Sequence, residues 1–248
     1  YVDGAITMTG STGIEPVLDQ LSRIPGFGSR PIANLIRPRS RGKSVLADEA
    51  QGTYESFQHL LALGHRHIMM MTLQPMELPI LQRRFDGASR AFEEWRLDPA
   101  THLHLYPISS SFSWLVTPSF ANLSQMNADT PLDYADRTFL SYLQEHPEVT
   151  AIAGFNDPSA LYAWSALQHA GFRVPDDYSI IGYDDVVPLY DAAGTNLLTS
   201  VRVPLFDIGQ EGARAIFHLM TDTSSSTDPV LLPTELVVRH STGPVPER

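Results

Sequence analysis

Cysteine is absent from the 248-residue sequence, which excludes disulfide bridges and metal sites built on thiolates. The sequence also lacks an uninterrupted apolar run of about 18 residues, the length that a membrane-spanning helix needs. Its first residues do not show the basic and then apolar pattern of a secretion signal. The last two absences predict a cytoplasmic protein that does not cross a membrane, whereas the absence of cysteine does not distinguish between compartments.

Positive charge is scarce as well. The sequence has 17 Lys and Arg residues against 28 Asp and Glu residues, which gives a formal net charge of −11 at pH 7. An acidic surface repels the phosphate backbone of nucleic acids, so a broad DNA-binding face is not expected in these residues. Any contact with DNA would require a separate basic module.

A strand, a helix and a second strand are predicted within residues 151–185. The first strand is short and apolar, as expected for a strand buried on both faces of a parallel sheet, and it leads into Asn156. Pro158 begins the helix, Gly171 ends it, and the second strand ends at Asp184. Ligands of open α/β sheets bind beyond the carboxyl ends of the strands. The side chains of Asn156 and Asp184 are therefore expected to face one crevice that suits a small polyhydroxylated molecule.

Strands and helices alternate along the rest of the chain. Helices are predicted at 15–24, 50–63, 81–95, 134–145 and 204–220, and strands or apolar stretches at 2–8, 32–36, 44–47, 67–72, 103–108, 198–201, 230–232 and 235–239. Residues 109–130 are rich in Ser, Pro, Asn and Thr, which predicts a long loop with aromatic side chains. The alternation predicts an α/β fold with one or two doubly wound parallel sheets.

Four groups of residues, taken in their order and spacing, resemble a known family. They are Val2-Asp3-Gly4; Leu60-Leu61-Ala62-Leu63-Gly64-His65; Asn156-Asp157 with Val174-Pro175 and Gly182-Tyr183-Asp184-Asp185; and Leu198 to Pro204 with Leu232 to Arg239. Over nearly its whole length the chain resembles the effector-binding core of the LacI/GalR transcription repressors.

The resemblance implies the type I periplasmic-binding-protein-like fold, in which two doubly wound parallel-sheet subdomains are joined by three crossovers. The crossovers are expected near Gly64, near Arg202 and around Thr223. The first subdomain would comprise residues 1–63 and 203–222, and the second residues 65–201 and 224–248.

In this family a helix-turn-helix DNA-binding domain and two strand–helix units precede the strand that ends in Asp3-Gly4. The resemblance therefore implies that the natural protein is longer than this chain. It also implies three partners: a small-molecule effector, such as a sugar or a nucleoside-like compound, bound between the subdomains; a second copy in a homodimer; and an operator DNA bound through the N-terminal domain.

The resemblance gives ligand-binding roles to four polar residues. Arg84 matches an Arg-x-x-Gly at the start of a helix, where the guanidinium donates to sugar hydroxyls. Asn156 and Asp184 match the strand-end pair, and Asp48 stands where the first subdomain places a polar residue. Three of them have another interpretation: Arg84 as a surface charge, and Asn156 and Asp48 as caps of the helices that follow them.

Phe112 and Trp114 fall where the family places an aromatic side chain that stacks on a pyranose ring. Stacking suits a sugar because the C–H faces of the ring are apolar while its edges form hydrogen bonds. The segment from Ser109 to Asp133 is longer than the usual family loop, so core packing explains these two aromatic residues equally well.

The sequence predicts no cofactor, no metal site and no enzyme. His65 and His67 flank the start of one strand, and His102 and His104 would lie on one face of another, but no third ligand with suitable spacing accompanies them. Arg84, Asn156 and Asp184 could bind a sugar, but no nucleophile with a paired base accompanies them.

The sequence thus favours the effector-sensing and dimerisation core of a bacterial transcription regulator. In such a core the ligand binds one relative orientation of the subdomains better than the other and so shifts the balance between them. A periplasmic sugar-binding protein of a transport system is the main alternative, because it shares the architecture. A doubly wound enzyme acting on a sugar is the second.

Overall fold

The computed structural model describes most of the chain. The described residues are 3–8, 19–20, 23–24, 26, 30–36, 42–72, 78–108, 134–221, 226 and 228–247, without the side chains of 134–136. The elements are β1 (Ala5–Met8), β2 (Ile32–Leu35), β3 (Lys43–Ala47), α1 (Glu49–Ala62), β4 (Ile68–Thr72), α2 (Pro79–Glu94), α3 (Pro99–His102), β5 (Leu103–Pro107), α4 (Tyr134–Glu145), β6 (Ala151–Ala153), α5 (Asp157–His169), β7 (Ser179–Asp184), β8 (Thr199–Arg202), α6 (Leu205–Thr221), β9 (Val230–Leu232) and β10 (Glu235–Val237).

The chain passes three times between two compact units. The first unit contains Tyr1–Asp48 and Pro204–Thr234, and the second contains Glu49–Val203 and Glu235–Arg248. Each unit has its own sheet. From β3 to β7 strands and helices alternate along the described chain, as the sequence predicted.

The sheet of the first unit has the strand order β1-β2-β3-β9, and all its strands are parallel. The four residues of β2 are all buried. Helix α6 packs on β2 and β3 through a stripe that includes Ile208 and Ala215. A Cβ atom at Gly212 of α6 would come within 2.4 Å of Cδ2 of Leu35. The glycine therefore lets the helix approach β2 more closely than any other residue would.

The sheet of the second unit has the order β10-β8-β7-β6-β4-β5. Its strands are parallel except β10, which pairs antiparallel with β8 at the edge. Parallel sheets are covered by helices on both faces, so their inner strands have no polar face. The buried runs Ile68–Thr72 and Ala151–Ala153 in β4 and β6 show this pattern.

Alternate residues of β4 enter two different hydrophobic cores. Met69 and Met71 belong to the core that contains side chains of α4 and α5, whereas Ile68 and Met70 belong to the core that contains side chains of α1 and α2. This division follows from the alternation of side chains along a strand. It shows why the sequence had an unbroken apolar run here instead of a polar and apolar alternation.

Helix α1 lies on the other side of the predicted subdomain boundary. The sequence placed residues up to 63 in the first subdomain, but α1 belongs to the second unit and packs along α2. A Cβ atom at Gly87 would lie 2.1 Å from the carbonyl oxygen of Ala50, so the two helix backbones are in direct contact. Because this contact joins α1 to α2, the first passage between the units follows Asp48 and not Gly64.

The third passage also differs from its predicted position, whereas the second lies close to it. The second follows Val203, one residue beyond Arg202, and the third follows Thr234 instead of the region around Thr223. The reason for the later third passage is β9, which pairs in parallel with β3 and thereby belongs to the first sheet. The sequence had placed β9 in the second subdomain.

Two predicted segments fall mainly on residues that the structure does not describe. These are the helix at 15–24, of which only parts are described, and the loop at 109–130. Among the described helices, none is long and apolar enough to cross a membrane.

Candidate functional site

Polar side chains meet near the carboxyl ends of β6 and β7 in the second unit. Asp184 is the last residue of β7, and Asn156 lies three residues after β6 ends. Arg84 comes from the first half of α2, whose Pro79 begins the helix. The structure brings Arg84 and Asp184 together, with the carbonyl of Phe155 beside them.

Arg84 is buried and is not a surface charge. Its side chain is only 4% exposed, and its Nε donates to Oε2 of Glu49 across 2.6 Å. A terminal nitrogen donates to the carbonyl oxygen of Phe155. The guanidinium carbon lies 3.5 Å from the ring centre of Tyr183, a distance at which the face of an aromatic ring attracts a cation. These contacts fix the guanidinium in one orientation.

Glu49 is a site residue that the sequence analysis missed. It is 3% exposed and lies in the first turn of α1. A buried carboxylate needs a partner of opposite charge, and Arg84 is that partner. The sequence does show two adjacent carboxylates, Asp48-Glu49, after a strand. It does not show that the second one turns inward to meet an arginine 35 residues away.

Asp184 is held in a conformation that non-glycine residues rarely adopt. Its φ is +91°, and that of Asp185 is +54°. Each such residue costs on the order of 1–3 kcal/mol, and two in succession at a strand end mark a constrained functional position. Oδ1 of Asp184 lies 3.9 Å from Nη2 of Arg84, and the side chain remains 35% exposed. One face of the carboxylate is therefore available to a ligand.

The protonation of Asp184 is also unusual. Burial raises the pKa of its carboxyl to about 6, with the charges of Asp157 and Glu49 adding to the rise, although Arg84 acts in the opposite direction. At neutral pH the group is an anion that accepts hydrogen bonds. In mildly acidic solution it becomes a neutral donor as well.

Asp157 holds the turn that follows Asp184. Its Oδ2 accepts from the backbone N–H groups of Val186 at 2.7 Å and Val187 at 3.0 Å. Its Oδ1 accepts from the hydroxyl of Ser200 at 2.6 Å. The side chain is fully buried. Asp157 is therefore part of the scaffold that shapes this turn.

Asp185 is paired with two arginines from neighbouring segments. Its carboxylate lies 2.8 Å from a terminal nitrogen of Arg202 in β8 and 2.7 Å from one of Arg239 after β10. These ion pairs tie the end of β7 to the edge of the sheet. They help to maintain the positive φ angles at Asp184 and Asp185. The carboxylate of Asp185 thus pairs with Arg202 and Arg239, whereas that of Asp184 lies near Arg84.

Asn156 caps helix α5. Its side-chain oxygen accepts from the backbone N–H of Ser159 at 3.0 Å, and the hydroxyl of Ser159 accepts from the backbone N–H of Asn156 at 2.9 Å. This is a reciprocal capping box. The capping alternative for Asn156 is therefore observed.

Asp48, Phe112 and Trp114 are the other predicted ligand residues. Asp48 lies in the first unit, directly after β3, where its backbone N–H donates to the carbonyl oxygen of Leu232 at 2.8 Å. Phe112 and Trp114 lie outside the described residues. Ligand contacts by Asp48, Phe112 and Trp114 stay predictions.

His65 has a structural role. Its ring is fully buried between the hydroxyl of Thr150, 2.8 Å from Nδ1, and the carbonyl oxygen of Gly243, 3.1 Å from Nε2. A carbonyl only accepts, so Nε2 carries the proton and Nδ1 accepts from Thr150. Burial lowers the pKa of His65 to about 4. The neutral ring thus joins Thr150 and Gly243 through hydrogen bonds.

The remaining strand histidines differ from the sequence prediction in two ways. His102 is the last residue of α3 and not part of a strand, yet its ring centre lies 4.6 Å from that of His67. A carboxylate side chain, that of Glu148, lies close to His67 and His104. Spacing along the chain did not reveal this approach, because the three residues are distant in sequence.

Comparison with known proteins places the chain in a family. Residues 57–242 match the family described as the periplasmic binding protein-like domain. The chain belongs to this family. The match runs from within α1 to the segment after β10, and it includes every residue of the Arg84 and Asp184 group except Glu49.

Curated relatives of this family are transcription regulators by name. The HTH-type transcriptional regulator DegA of Bacillus subtilis is 31% identical over 98% of this chain and 65% of its own length. The HTH-type transcriptional repressor PurR of Vibrio parahaemolyticus is 26% identical over 97% of this chain and 64% of its own length. The resemblance to the LacI/GalR regulators is confirmed, and the chain spans less than two thirds of these relatives.

Solved structures show the same fold. A LacI family transcriptional regulator from Enterococcus faecium with bound ribose has a TM-score of 0.74 at 23% identity, over 98% of this chain and 80% of that one. The complex of the transcriptional regulator CelR with cellobiose has a TM-score of 0.69 at 24% identity, over 97% of this chain and 66% of that one. The predicted periplasmic-binding-protein-like fold is confirmed.

Proposed function

We propose that this chain is the effector-sensing and dimerisation core of a bacterial transcription regulator and that its effector is a sugar or a sugar-like molecule. The observation that carries the proposal is the pair formed by Arg84 and Asp184 at the strand ends of the second unit. A buried cation and a partly exposed anion stand 3.9 Å apart there. No bond of the effector is made or broken.

The chemistry of this pair suits hydroxyl groups. The carboxylate of Asp184 accepts from two adjacent hydroxyls, while Nη2 of Arg84, which faces Asp184, donates to a sugar oxygen. Glu49 and the carbonyl of Phe155 accept from other nitrogens of the guanidinium. The direction in which Nη2 donates is therefore fixed before the ligand binds. Preorganisation of this kind reduces the entropy lost on binding.

The relatives support a regulator over the transport alternative. DegA is named as a transcriptional regulator and PurR as a transcriptional repressor. The neighbours that share the fold were solved with ribose and with cellobiose, which makes neutral sugars the first ligands to test. A regulator of this kind acts in the cytoplasm.

The outer face of α6 supports a homodimer. Phe206 is 81% exposed, Phe217 63% and Met220 48% on this one helix. Large apolar side chains concentrated on one exposed helix are typical of a protein interface. The operator would be bound through a DNA-binding domain outside these residues, since the net charge of −11 disfavours a DNA contact here.

The test is a thermal-shift screen against ribose, cellobiose, other neutral mono- and disaccharides, pentoses and nucleosides. A ligand that binds only the folded state raises the melting temperature, and the rise increases with its concentration. We expect one sugar to give a selective rise that Asp184→Asn removes. Asn has the shape of Asp and tolerates a positive φ, so this variant changes the charge and little else.

The matched control is Asp86→Asn, which alters an exposed carboxylate on α2 two residues after Arg84. It should respond to the sugar as the parent protein does. If no sugar or nucleoside shifts the melting temperature, or if Asp184→Asn responds like the parent, the assignment of this site is wrong.

A further inference from the structure

A second group of polar side chains lies at the opposite end of the sheet of the second unit. His67 directly precedes β4, His104 is the second residue of β5, and Glu148 lies three residues before β6 begins. These three strands are neighbours in the order β6-β4-β5. The group is therefore at the amino ends of the parallel strands, whereas Asp184 is at a carboxyl end.

The candidate ligand atoms are close to one another. Nδ1 of His67 lies 3.2 Å from Nε2 of His104, and that nitrogen lies 3.8 Å from Oε1 of Glu148. All three ligand atoms lie within 4.8 Å of one another. A tetrahedral zinc ion with bonds of about 2.0–2.1 Å places its ligand atoms about 3.3 Å apart. The histidine pair already has this spacing, and a small rotation of the exposed glutamate completes it.

We propose that His67, His104 and Glu148 bind a divalent transition-metal ion of the zinc type. Two imidazoles and one carboxylate are ligands that zinc prefers, and such a three-residue set leaves one coordination position for water. The sulfur ligands that zinc also uses are not needed, which agrees with the absence of cysteine. The site is separate from the group around Arg84 and Asp184.

The surroundings of the three ligands resemble the outer shell of a metal site. Nδ1 of His146 lies 3.1 Å from Oε1 of Glu148, so His146 orients the carboxylate. The ring of His102 lies against that of His67, and its own Nδ1 is bonded to the carbonyl oxygen of Arg66 at 3.1 Å. Groups that orient metal ligands raise metal affinity.

Exposure and protonation both suit metal entry. The side chain of Glu148 is 39% exposed while that of His104 is 10% exposed, so an ion arrives from the solvent side and meets a fixed imidazole. Burial lowers the pKa of His104 and also that of His67. The neutral imidazole is the form that donates a lone pair to a metal.

A bound ion would join three neighbouring strands at their amino ends. Because the unfolded chain does not hold these ligands together, binding is linked to the stability of the folded second unit. Metal would therefore raise the melting temperature without competing with an effector at the other end of the sheet.

The test is a titration of the tag-free, chelator-treated protein with Zn²⁺ by isothermal calorimetry. Substitution with Co²⁺ adds a spectroscopic measurement, since tetrahedral Co²⁺ has intense visible bands that a hexa-aqua ion lacks. We expect one equivalent of metal per chain, a tetrahedral spectrum and a rise in melting temperature. His104→Gln and Glu148→Gln should each weaken the affinity by about 100-fold or more.

The control is His240→Gln, which removes an exposed histidine from the same unit and should leave the affinity unchanged. Glu148→Gln alters a surface side chain, so it reports on the site even if His104→Gln disturbs folding, which circular dichroism would reveal. Absence of Zn²⁺ binding at micromolar protein concentration would overturn the proposal. Binding that is equally strong in Glu148→Gln and the parent would overturn it too.

Discussion

Nε of Arg84 and Oε2 of Glu49 are joined by a hydrogen bond of 2.6 Å, and both side chains are only 4% exposed. The pair links α1 to α2 beneath the strand-end group. Because the pair is buried, removing either charge leaves the other one without its partner in a medium of low polarity.

Glu49→Ala should destabilise the second unit strongly. Removing one member of a buried ion pair costs about 3–5 kcal/mol, because the remaining charge is left without compensation. The measurement is the urea midpoint of unfolding at pH 7. Glu93→Ala, which removes an exposed glutamate from α2, should change stability by no more than about 0.5 kcal/mol. Equal midpoints for the two variants would contradict a buried pair.

Asp184→Asn should remove a pH dependence of stability. The carboxyl has a pKa near 3.8 when unperturbed and about 6 in the folded protein, so between these values the folded state binds more protons. Stability from this group is therefore greatest at low pH and falls as the pH rises from about 4 to about 6. Relative to Asp184→Asn, the parent should lose stability over that window, as urea midpoints at pH 4 and pH 7 would show. A gain in stability from pH 4 to pH 7, relative to Asp184→Asn, would mean that the charge of Arg84 outweighs burial and lowers the pKa of Asp184.

His65 should contribute a pH dependence of the opposite sign. Its pKa falls from 6.5 to about 4 on folding, so in that window the unfolded chain binds more protons and stability rises with pH. A shift of this size corresponds to about 3 kcal/mol, lost as the pH falls from 6.5 towards 4. The difference in the free energy of unfolding between the parent and His65→Gln should shrink by about this amount as the pH falls from 6.5 to about 4. In a histidine NMR titration, His65 should remain neutral at pH 6.

The same substitution at two glycines should have opposite effects. Gly87→Ala places a methyl group 2.1 Å from the carbonyl oxygen of Ala50, so α1 and α2 must move apart at a cost of about 1–3 kcal/mol. Gly209→Ala, in the exposed part of α6, meets no atom within 4 Å and should stabilise by about 0.5–1 kcal/mol through helix propensity. Melting temperatures of the two variants measure both effects. Similar shifts would show that the two helices are not in close contact at Gly87.

The sequence was sufficient for the fold class and for the order of most elements. Side-chain alternation and helical periodicity depend on near neighbours in the chain, and so do caps and turns such as Pro158 and Gly171. The chain position of Asp184 at a strand end followed from the same local pattern. The resemblance to the LacI/GalR regulators rests on short motifs and was therefore also accessible from the sequence.

The tertiary structure decided which side chains meet. Glu49 pairs with Arg84 across 35 residues, and Glu148 approaches His67 and His104 only because β4, β5 and β6 are neighbours in the sheet. The boundary after Asp48 likewise depends on the packing of α1 against α2, which has no signature in the order of the elements. Periodicity records whether a residue is buried, but only the folded chain determines what it is buried against.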